Sequence, residues 1–429
     1  MNKLYCIIWL TLILSSCGSR IMDGYTDKVS YSLSDSISIF INAEHDLKDY
    51  QIDITDINGN VLQSTSASVF PQTMQDDKPY QNGYGYQATT KISVPCLGSG
   101  VYLLGEKIPF IIKPENQFDI LILYSSNTEN AYCHSGGKST YAYNSSNDKA
   151  ATVVSFKRPI GLPTHSAEFL KWIATQNYNV GYICDQDLED YQNIASAKLL
   201  IIPGHSEYWT RRARENFDRF INEGKDPLIL SGNTMWWQVR YDSTESKMIC
   251  CKYGSVDSNT TPLLRTICWT DPALEYDVIG SIGLDFDQGG YGKKQDNGWD
   301  GYKIVNSASP LLRGTGLNSG EVISLPTDEY DGAKLSFSSD SIQVALKNAS
   351  GFYQYELIGY DLASRQAASN GAWIVMQKTK TSGVIINTGS TNWCKKEGME
   401  GESSELIKKI TLNMIDLLLK KERLFTTKK

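Results

Sequence analysis

The segment that decides the fold is Leu199-Leu200-Ile201-Ile202-Pro203-Gly204-His205-Ser206-Glu207-Tyr208-Trp209-Thr210. Its first half is a continuous apolar run, typical of a strand buried on both faces of a parallel sheet. The run ends at a glycine, and polar or amphipathic side chains then precede a predicted helix over 211–223. In an open α/β sheet, ligands bind at the carboxyl ends of the strands. The pattern therefore predicts that His205, Glu207 and Tyr208 reach a functional crevice.

The same segment also has a purely structural interpretation. In that alternative the turn only leads into the helix, Glu207 complements the helix dipole, and Trp209 packs in the core. Spacing alone leaves both interpretations open. Since an imidazole and a carboxylate can act as general acids and bases or as metal ligands, the functional alternative makes His205 and Glu207 predicted catalytic residues.

Strands and helices alternate on either side of this segment. Apolar runs predict strands at 120–123, 180–184 and 228–230, and a helix is expected over 166–176. Such alternation gives a parallel sheet, so residues 114–429 are predicted to form a mostly parallel α/β domain. Within it we expect long loops over 243–320, a β-rich insertion over 322–386 and a closing helix over 404–420.

Ahead of this domain, residues 29–113 have the period-two pattern of a small β-sandwich. Ile37, Ile39 and Ile41 alternate with polar or outward-facing residues, and Asn58-Gly59 is a turn signal. No helix is predicted in this part, and Pro114 marks its end. The sandwich resembles an immunoglobulin-like module.

The N-terminus has the pattern of an export signal. A short apolar run over 5–14 precedes small residues and Cys17, and the run is too short to cross a bilayer as a helix. Leu14-Ser15-Ser16-Cys17 resembles the lipobox of bacterial lipoproteins. That resemblance implies a signal peptide over 1–16, lipidation of Cys17 and a tether over 17–28. We therefore expect a protein of the bacterial cell envelope, lipid-anchored to the outer membrane and facing the periplasm.

Composition excludes some classes of partner and site. The net charge of -7 provides no basic field for nucleic acid. The nine cysteines contain no Cys-x-x-Cys pair, so no zinc knuckle is indicated.

A second segment of interest follows the strand at 228–230, and it reads Ser231-Gly232-Asn233-Thr234-Met235-Trp236-Trp237-Gln238-Val239-Arg240. A strand, a glycine turn and a helix form the elbow that exposes a nucleophile in several hydrolases. The chain here resembles the class I glutamine amidotransferase-like fold, with Asn233 in place of its cysteine. Asn233 is therefore predicted to orient substrate or to donate to an oxyanion. Trp237 and Arg240 are predicted to contact substrate, although paired tryptophans are also typical of core packing.

A third segment, over 127–141, follows the first strand of the sheet. Its Gly136-Gly137 pair permits close approach of the backbone to a ligand, and Tyr132 and Tyr141 are predicted to bind substrate in the crevice. Cys133 and His134 are neighbours along the chain, but the side chains of a catalytic pair meet in space rather than in sequence. Cys133 is therefore disfavoured as a nucleophile.

Several motifs together resemble one family, the C-terminal domain of the large (beta) subunit of N,N-dimethylformamidase. The resemblance covers residues 100–422 and rests on Val154-Ser155-Phe156-Lys157-Arg158-Pro159, Gly204-His205-Ser206-Glu207-Tyr208-Trp209, Gly232-Asn233 to Arg240, Gly314-Thr315-Gly316-Leu317 and Gly389-Ser390-Thr391-Asn392-Trp393. It implies an amide hydrolase in which iron is bound by two tyrosines and a carboxylate.

Carried over to this sequence, the resemblance identifies Tyr208 as a metal ligand. The second tyrosine is left open between Tyr132 and Tyr141, and the carboxylate is left open between Glu329 and Asp331. The sequence is also compatible with a different class, a non-catalytic lipoprotein that binds glycans or another ligand. Its 9 Trp and 25 Tyr are a generous supply of aromatic rings for stacking on sugars.

Overall fold

The structure is a computed structural model that describes residues 21–115, 117–252, 257–259, 261–292, 298–337, 342–344 and 351–426. The predicted signal peptide and Cys17 lie outside the described residues. None of the helices in the described part is long and apolar enough to cross a membrane. The cysteines from Cys96 onward are free thiols.

The N-terminal part consists of two sheets around one core. One sheet has the strand order β1-β3-β6 and the other β2-β8-β7-β4-β5. Residues 37, 39 and 41 of β3 are buried between them, as the period-two pattern predicts. The elements are β1 (Ile21–Thr26), β2 (Ser30–Tyr31), β3 (Ser36–Ala43), β4 (Leu47–Asp56), β5 (Val61–Val69), α1 (Pro79–Asn82), β6 (Thr90–Ser93), β7 (Gly100–Leu104) and β8 (Ile108–Ile112).

Two features of this part differ from the prediction. Strand β1 lies inside the segment expected to be a tether, because Ile21 and Tyr25 are buried and the strand pairs with β3. A single helical turn, α1, also appears where no helix is predicted, and it begins at Pro79. Proline is favoured at a first helical position because its missing N–H has no partner to lose there.

The next part contains the predicted parallel strands. The order β11-β9-β12-β14-β24 is parallel throughout. The elements from residue 120 to residue 249 are β9 (Ile120–Tyr124), α2 (Ser126–Tyr132), β10 (Val153–Ser155), α3 (Ala167–Ile173), β11 (Val180–Cys184), β12 (Leu199–His205), β13 (Tyr208–Thr210), α4 (Arg211–Asn222), β14 (Asp226–Gly232), β15 (Trp237–Tyr241) and β16 (Lys247–Ile249).

The remaining strands make the sheet mixed rather than mostly parallel. From β24 the order continues antiparallel as β23-β22-β18-β19, with β17, β20 and β21 attached beside β23, which gives twelve strands. The connections from β22 to β24 are too short for parallel crossovers, which require about a dozen residues. The elements are α5 (Val278–Ile282), β17 (Asp285–Tyr291), β18 (Gly301–Ile304), β19 (Val322–Ser324), β20 (Glu329–Phe337), β21 (Ile342–Val344), β22 (Gln354–Asp361), β23 (Ser369–Gln377), β24 (Val384–Asn387), α6 (Lys396–Met399) and α7 (Ser404–Leu419).

Helices cover both faces of the large sheet. Ile120 and Ile122 of β9 point into a core that contains residues of α3 and α7, whereas Leu121 and Leu123 point into a core that contains residues of α4. A strand with both faces buried needs apolar residues at every position. This packing explains the uninterrupted apolar runs in the sequence, and it produces a sheet-rich α/β architecture.

The expected helix after Asn233 is absent from the described chain. Asn233 and Met235 have positive φ values of 49° and 55°, and the chain then enters β15, which pairs with β13. The turn is fixed by three backbone bonds: Met235 donates to the Ser206 carbonyl, and Trp236 and Trp237 both donate to the Glu207 carbonyl. The elbow prediction was therefore wrong about the element that follows the turn.

Candidate functional site

A cavity of about 620 Å³ opens where β12 and β14 end. The position agrees with the rule that ligands bind beyond the carboxyl ends of parallel strands. The side chains around it are aromatic, acidic and basic, and they come from all parts of residues 132–391. They are Tyr132, Tyr141, Tyr143, His165, His205, Glu207, Asn233, Trp236, Trp237, Lys252, Cys268, Phe286, Tyr291, Asp328, Glu329, Arg365 and Thr391.

Three neighbouring strand ends deliver the polar residues. His205 is the last residue of β12 and pairs with Gly232 at the end of β14. Glu329 is the first residue of β20. A Cβ atom on residue 232 would lie 2.6 Å from the Thr391 nitrogen and 2.7 Å from the Glu329 carbonyl oxygen. Only glycine allows these backbones to approach so closely, which brings Asn233 and Glu329 together.

Two phenols converge on the Glu207 carboxylate. Tyr132 Oη donates to Glu207 Oε2 at 2.8 Å. Tyr141 Oη lies 3.1 Å and 3.0 Å from the two carboxylate oxygens and 2.6 Å from Tyr132 Oη. Burial, and then the charge of Glu207, raises the pKa of both phenols well above the usual value. The tyrosines are therefore proton donors to a carboxylate.

Tyr208 and Lys252 extend this cluster from Tyr141. Tyr208 Oη donates to Tyr141 Oη at 2.7 Å, and Lys252 Nζ donates to Tyr208 Oη. The ammonium group also lies 3.5 Å from the centre of the Tyr141 ring and 4.0 Å from Glu207 Oε1. Burial lowers the pKa of Lys252, while Glu207 opposes that effect. The hydrogen bonds thus run in one direction, from Lys252 through three phenols to Glu207.

His205 lies between two carboxylates. Its Nε2 atom is 3.4 Å from Glu207 Oε2 and 3.5 Å from Glu329 Oε2. The ring is buried, yet neither nitrogen has a hydrogen-bond partner among the described residues. The ring of His165 packs edge-on at 5.0 Å, and burial, followed by the proximity of His205, lowers the pKa of His165 to about 3. Because buried polar atoms are normally satisfied, unpartnered nitrogens beside a cavity indicate a site for water or a ligand.

Glu329 is held in place by the turn after β14. Asn233 Nδ2 donates to Glu329 Oε2 at 3.0 Å, while Asn233 Oδ1 is another buried atom without a partner in the described part of the chain. Burial raises the pKa of Glu329, and His205 opposes this rise. Asp331 lies below the turn, where its carboxylate accepts from the Thr234 nitrogen at 3.1 Å.

The structure brings most of the predicted site residues together. The cavity lining contains the predicted residues Tyr132, Tyr141, His205, Glu207, Asn233 and Trp237. Three other residues from the sequence analysis lie outside that lining: Tyr208, Asp331 and Arg240. Tyr208 is fully buried behind Tyr141, and Arg240 pairs with Asp257, with its Nη2 atom 3.0 Å from Asp257 Oδ1. Cys133 donates to the Pro159 carbonyl and is also absent from the lining.

The sequence analysis missed several residues of the lining, and three of them are charged or ionisable side chains of consequence: His165, Lys252 and Arg365. Lys252 and Arg365 lie in connections without helical or strand periodicity, and His165 precedes α3. No spacing signal links them to the strand ends. A hint was available only for His165, as one of four histidines in the chain.

The donor set of the cluster decides which ions it suits. Among the described residues there is no group of three or more His, Cys, Asp or Glu that could hold a metal. Phenol oxygens can also bind metals, and here those of Tyr132 and Tyr141 lie within 3.1 Å of the Glu207 carboxylate. Three oxygen ligands at such mutual distances are compatible with a single hard cation.

Comparisons with known proteins agree with a family assignment made on sequence. The model of the family described as N,N-dimethylformamidase beta subunit-like, C-terminal matches residues 63–400. None of the curated proteins matches the chain. Among solved structures, a protein named as ThuA-like from Bacteroides uniformis ATCC 8492 is similar at 11% identity and a TM-score of 0.34, covering 71% of this chain and 93% of that one. The N-terminal domain of mmIFT52 is similar at 12% identity and a TM-score of 0.30, covering 59% and 90%.

Proposed function

Because the chain belongs to the N,N-dimethylformamidase beta subunit-like, C-terminal family, we propose that it hydrolyses a C–N amide bond in the 620 Å³ cavity. The observation that carries the proposal is the convergence of Tyr132 and Tyr141 on Glu207, beside the unpartnered nitrogens of His205. A carboxylate, an imidazole and phenol hydroxyl donors at one cavity wall are groups that can carry out amide hydrolysis.

His205 is the proposed general base. A water molecule bonded to its Nε2 would lose a proton to the ring as its oxygen adds to the amide carbon. The imidazolium that forms lies within 3.5 Å of both Glu207 and Glu329, so two negative charges stabilise it. The same ring then returns the proton to the nitrogen of the leaving amine, which completes cleavage of the C–N bond.

Asn233 and Lys252 have supporting roles in this proposal. Asn233 holds the Glu329 carboxylate toward His205 through its Nδ2 atom, and its Oδ1 is available to accept from the amide N–H of a substrate. Lys252 places a positive charge 4.0 Å from Glu207 and so balances charge at the wall of the cavity. Neither residue needs to exchange a proton with the substrate.

An iron ion fits the same oxygens. Tyr132, Tyr141 and Glu207 would hold it, rather than the buried Tyr208, because only the first two tyrosines reach the carboxylate and line the cavity. When bound, the ion would polarise the amide carbonyl and make a water molecule more acidic. Binding requires the phenols to release the protons that they share with Glu207, so metal affinity should rise with pH.

The test compares the full-length protein with His205→Asn and Tyr132→Phe/Tyr141→Phe variants, purified without chelator. Removal of a general base should lower kcat for amide hydrolysis by about 10²–10⁴-fold while leaving bound iron unchanged. The double tyrosine variant should lose both iron and activity. An exposed histidine, altered by His45→Asn, is the matched control. Full hydrolysis by His205→Asn would overturn the assignment of His205 as general base. Absence of iron from the wild type as well as the variants would overturn the proposed metal site.

A second function, ligand binding without catalysis, is favoured by the aromatic part of the lining. Trp236, Trp237, Phe286 and Tyr291 line the same cavity, and sugars stack well on such rings. A protein that bound an oligosaccharide but hydrolysed no amide would support this alternative.

Two finer assignments of architecture accompany the proposal. The parallel order β11-β9-β12-β14-β24 supports an amidotransferase-like origin for the region after residue 114. Two sheets around one core support an immunoglobulin-like module before it. We also propose that Cys17 anchors the whole protein to the outer membrane.

A further inference from the structure

The size of the cavity bears on the class of substrate. Its volume of about 620 Å³ would hold about twenty water molecules at roughly 30 Å³ each. Pockets of about 300–1,000 Å³ are typical for drug-sized ligands. The smallest dialkyl amides would leave most of this space to solvent. The substrate must therefore have a substantial part that does not react.

A clamp of aromatic rings and one arginine lies in the part of the lining that the proposed chemistry does not use. The Arg365 guanidinium carbon is 4.7 Å from the centre of the Phe286 ring and 5.5 Å from that of Trp236. These two rings pack edge-to-face at 5.3 Å, and Tyr291 packs in the same way on Phe286 at 5.6 Å. Stacking on aromatic faces pre-organises a guanidinium group.

The stem of Arg365 is also fixed by a glycine. A Cβ atom on Gly290, which has a φ of 128°, would lie 2.5 Å from Arg365 Cγ. Any side chain at position 290 would push the arginine out of the clamp. Neighbours thus contact the arginine side chain on both sides, while 34% of it stays exposed to solvent.

Charge balance around the cavity singles out Arg365. Glu207 and Glu329 are engaged by the phenols, His205 and Asn233, and Asp328 is paired with Lys395 at 2.8 Å. Arg365 instead forms one ion pair among the described residues, to Asp287 at 3.7 Å, and both side chains are 34% exposed. A pair of that length and exposure is weak, so the guanidinium retains donors for a planar anion.

We propose that the substrate is an amide that also carries a carboxylate and a ring, of which an N-acyl aromatic amino acid is the simplest member. Arg365 binds the carboxylate, and the ring packs against Trp236 and Phe286. The amide part of this inference rests on the proposed function, whereas the anion site does not. Hydrolysis adds water across the C–N bond and releases the acyl carboxylic acid and the free amino acid.

The test measures binding and turnover of N-acetylphenylalanine and its uncharged methyl ester by the full-length protein. The wild type should bind the acid at least tenfold more tightly than the ester. Quenching of tryptophan fluorescence measures both affinities. Arg365→Gln should remove that preference and leave affinity for the ester unchanged. Arg365→Lys should recover only part of it, because an ammonium cannot form a bidentate pair. Arg313→Gln is the matched control, since Arg313 is 65% exposed and pairs with Glu422 at the surface.

The outcomes separate the two proposals. Equal binding of acid and ester by the wild type, or an acid preference that survives in Arg365→Gln, would overturn the anion site. Arg365-dependent binding without hydrolysis would keep the anion site and overturn the proposed hydrolase. Hydrolysis of neutral amides with no preference for the acid would keep the proposed hydrolase and overturn the anion site. Tight binding of a neutral oligosaccharide, unaffected by Arg365→Gln, would also overturn the inference.

Discussion

At the scale of single residues, Lys252 couples the stability of the protein to its proposed function. It is 4% exposed, and its ammonium group stacks on Tyr141 and donates to Tyr208. Replacing both members of a buried ion pair by apolar residues is often neutral, but removing one member leaves the other charge uncompensated and typically costs about 3–5 kcal/mol. Loss of Lys252 would leave the buried Glu207 carboxylate without its nearby positive charge, so the residue supports both the fold and the charge balance of the site.

Lys252→Met should lower the melting temperature and should lower kcat for amide hydrolysis by about 10–100-fold, the usual effect of removing a group that supports the side chains of a site from outside. Thermal unfolding and steady-state kinetics check the two halves separately. Lys303→Met is a control that also removes a lysine stacked on an aromatic ring, here Trp299. A variant that melted lower and retained full activity would show that Lys252 is structural.

Sequence reasoning found the strand-end residues of the site and missed those in connections. His205, Glu207 and Asn233 follow apolar runs, so a general rule about sheets placed them. Lys252 and Arg365 come from segments without periodicity and reach the cavity only through tertiary packing. Likewise, nothing in the sequence distinguished Tyr208 from Tyr141, because their order behind the carboxylate depends on side-chain directions.

At the scale of elements, Asp185 connects β11 to the start of α2. Its carboxylate accepts from the Asn127 nitrogen at 2.7 Å and from Ser126 Oγ at 3.2 Å. Burial nevertheless outweighs these bonds and raises the pKa of Asp185 from 3.8 to about 7. Between these two values the folded state holds a proton that the unfolded state has released. Stability from this group is therefore present below the lower value and is lost as pH rises toward 7.

Asp185→Asn should flatten this part of the pH dependence. An asparagine retains an acceptor for the α2 nitrogen but does not titrate, so the unfolding free energy should lose a slope of up to about 1.4 kcal/mol per pH unit between pH 4 and 7. Urea unfolding at a series of pH values measures the slope. Asp46→Asn, at an exposed position, serves as the reference. Identical slopes in wild type and Asp185→Asn would show that this carboxyl is ionised in the folded protein.

The bounds of a strand and a helix could be predicted from sequence where the pattern of apolar residues alone determines them. The predicted strand over 180–184 agrees with β11, and the predicted helix over 211–223 agrees with α4 within one residue. The helix expected after Asn233 failed because backbone bonds from the turn to the Ser206 and Glu207 carbonyls draw the chain into β15 instead. Such long-range bonds leave no local signature.

At the scale of the whole molecule, the division of the chain into two parts could be predicted from a change in the spacing of its apolar residues. Alternating residues before 113 gave the sheets around a single core, and continuous apolar runs after 118 gave the parallel strands. The antiparallel half could not be read in the same way. Strands β18 and β20 to β23 mix polar with apolar residues, and only the pairing shows that they extend the same sheet.

The proposed position of the molecule at the outer membrane rests on Cys17. If the lipobox resemblance is correct, Cys17→Ser should move the protein from the membrane fraction to the soluble fraction, since several acyl chains at about 0.8 kcal/mol per methylene would be lost. Incorporation of radioactive palmitate, followed by fractionation, measures both effects. Cys6→Ser is the matched control, because it changes a cysteine in the predicted signal peptide that would be removed.

Strand β1 begins at Ile21, so the tether between the lipid and the folded protein would be only a few residues long. The cavity would then work close to the membrane surface. A wild-type protein that incorporated no palmitate would remove that constraint and leave the catalytic proposal to stand on the site alone.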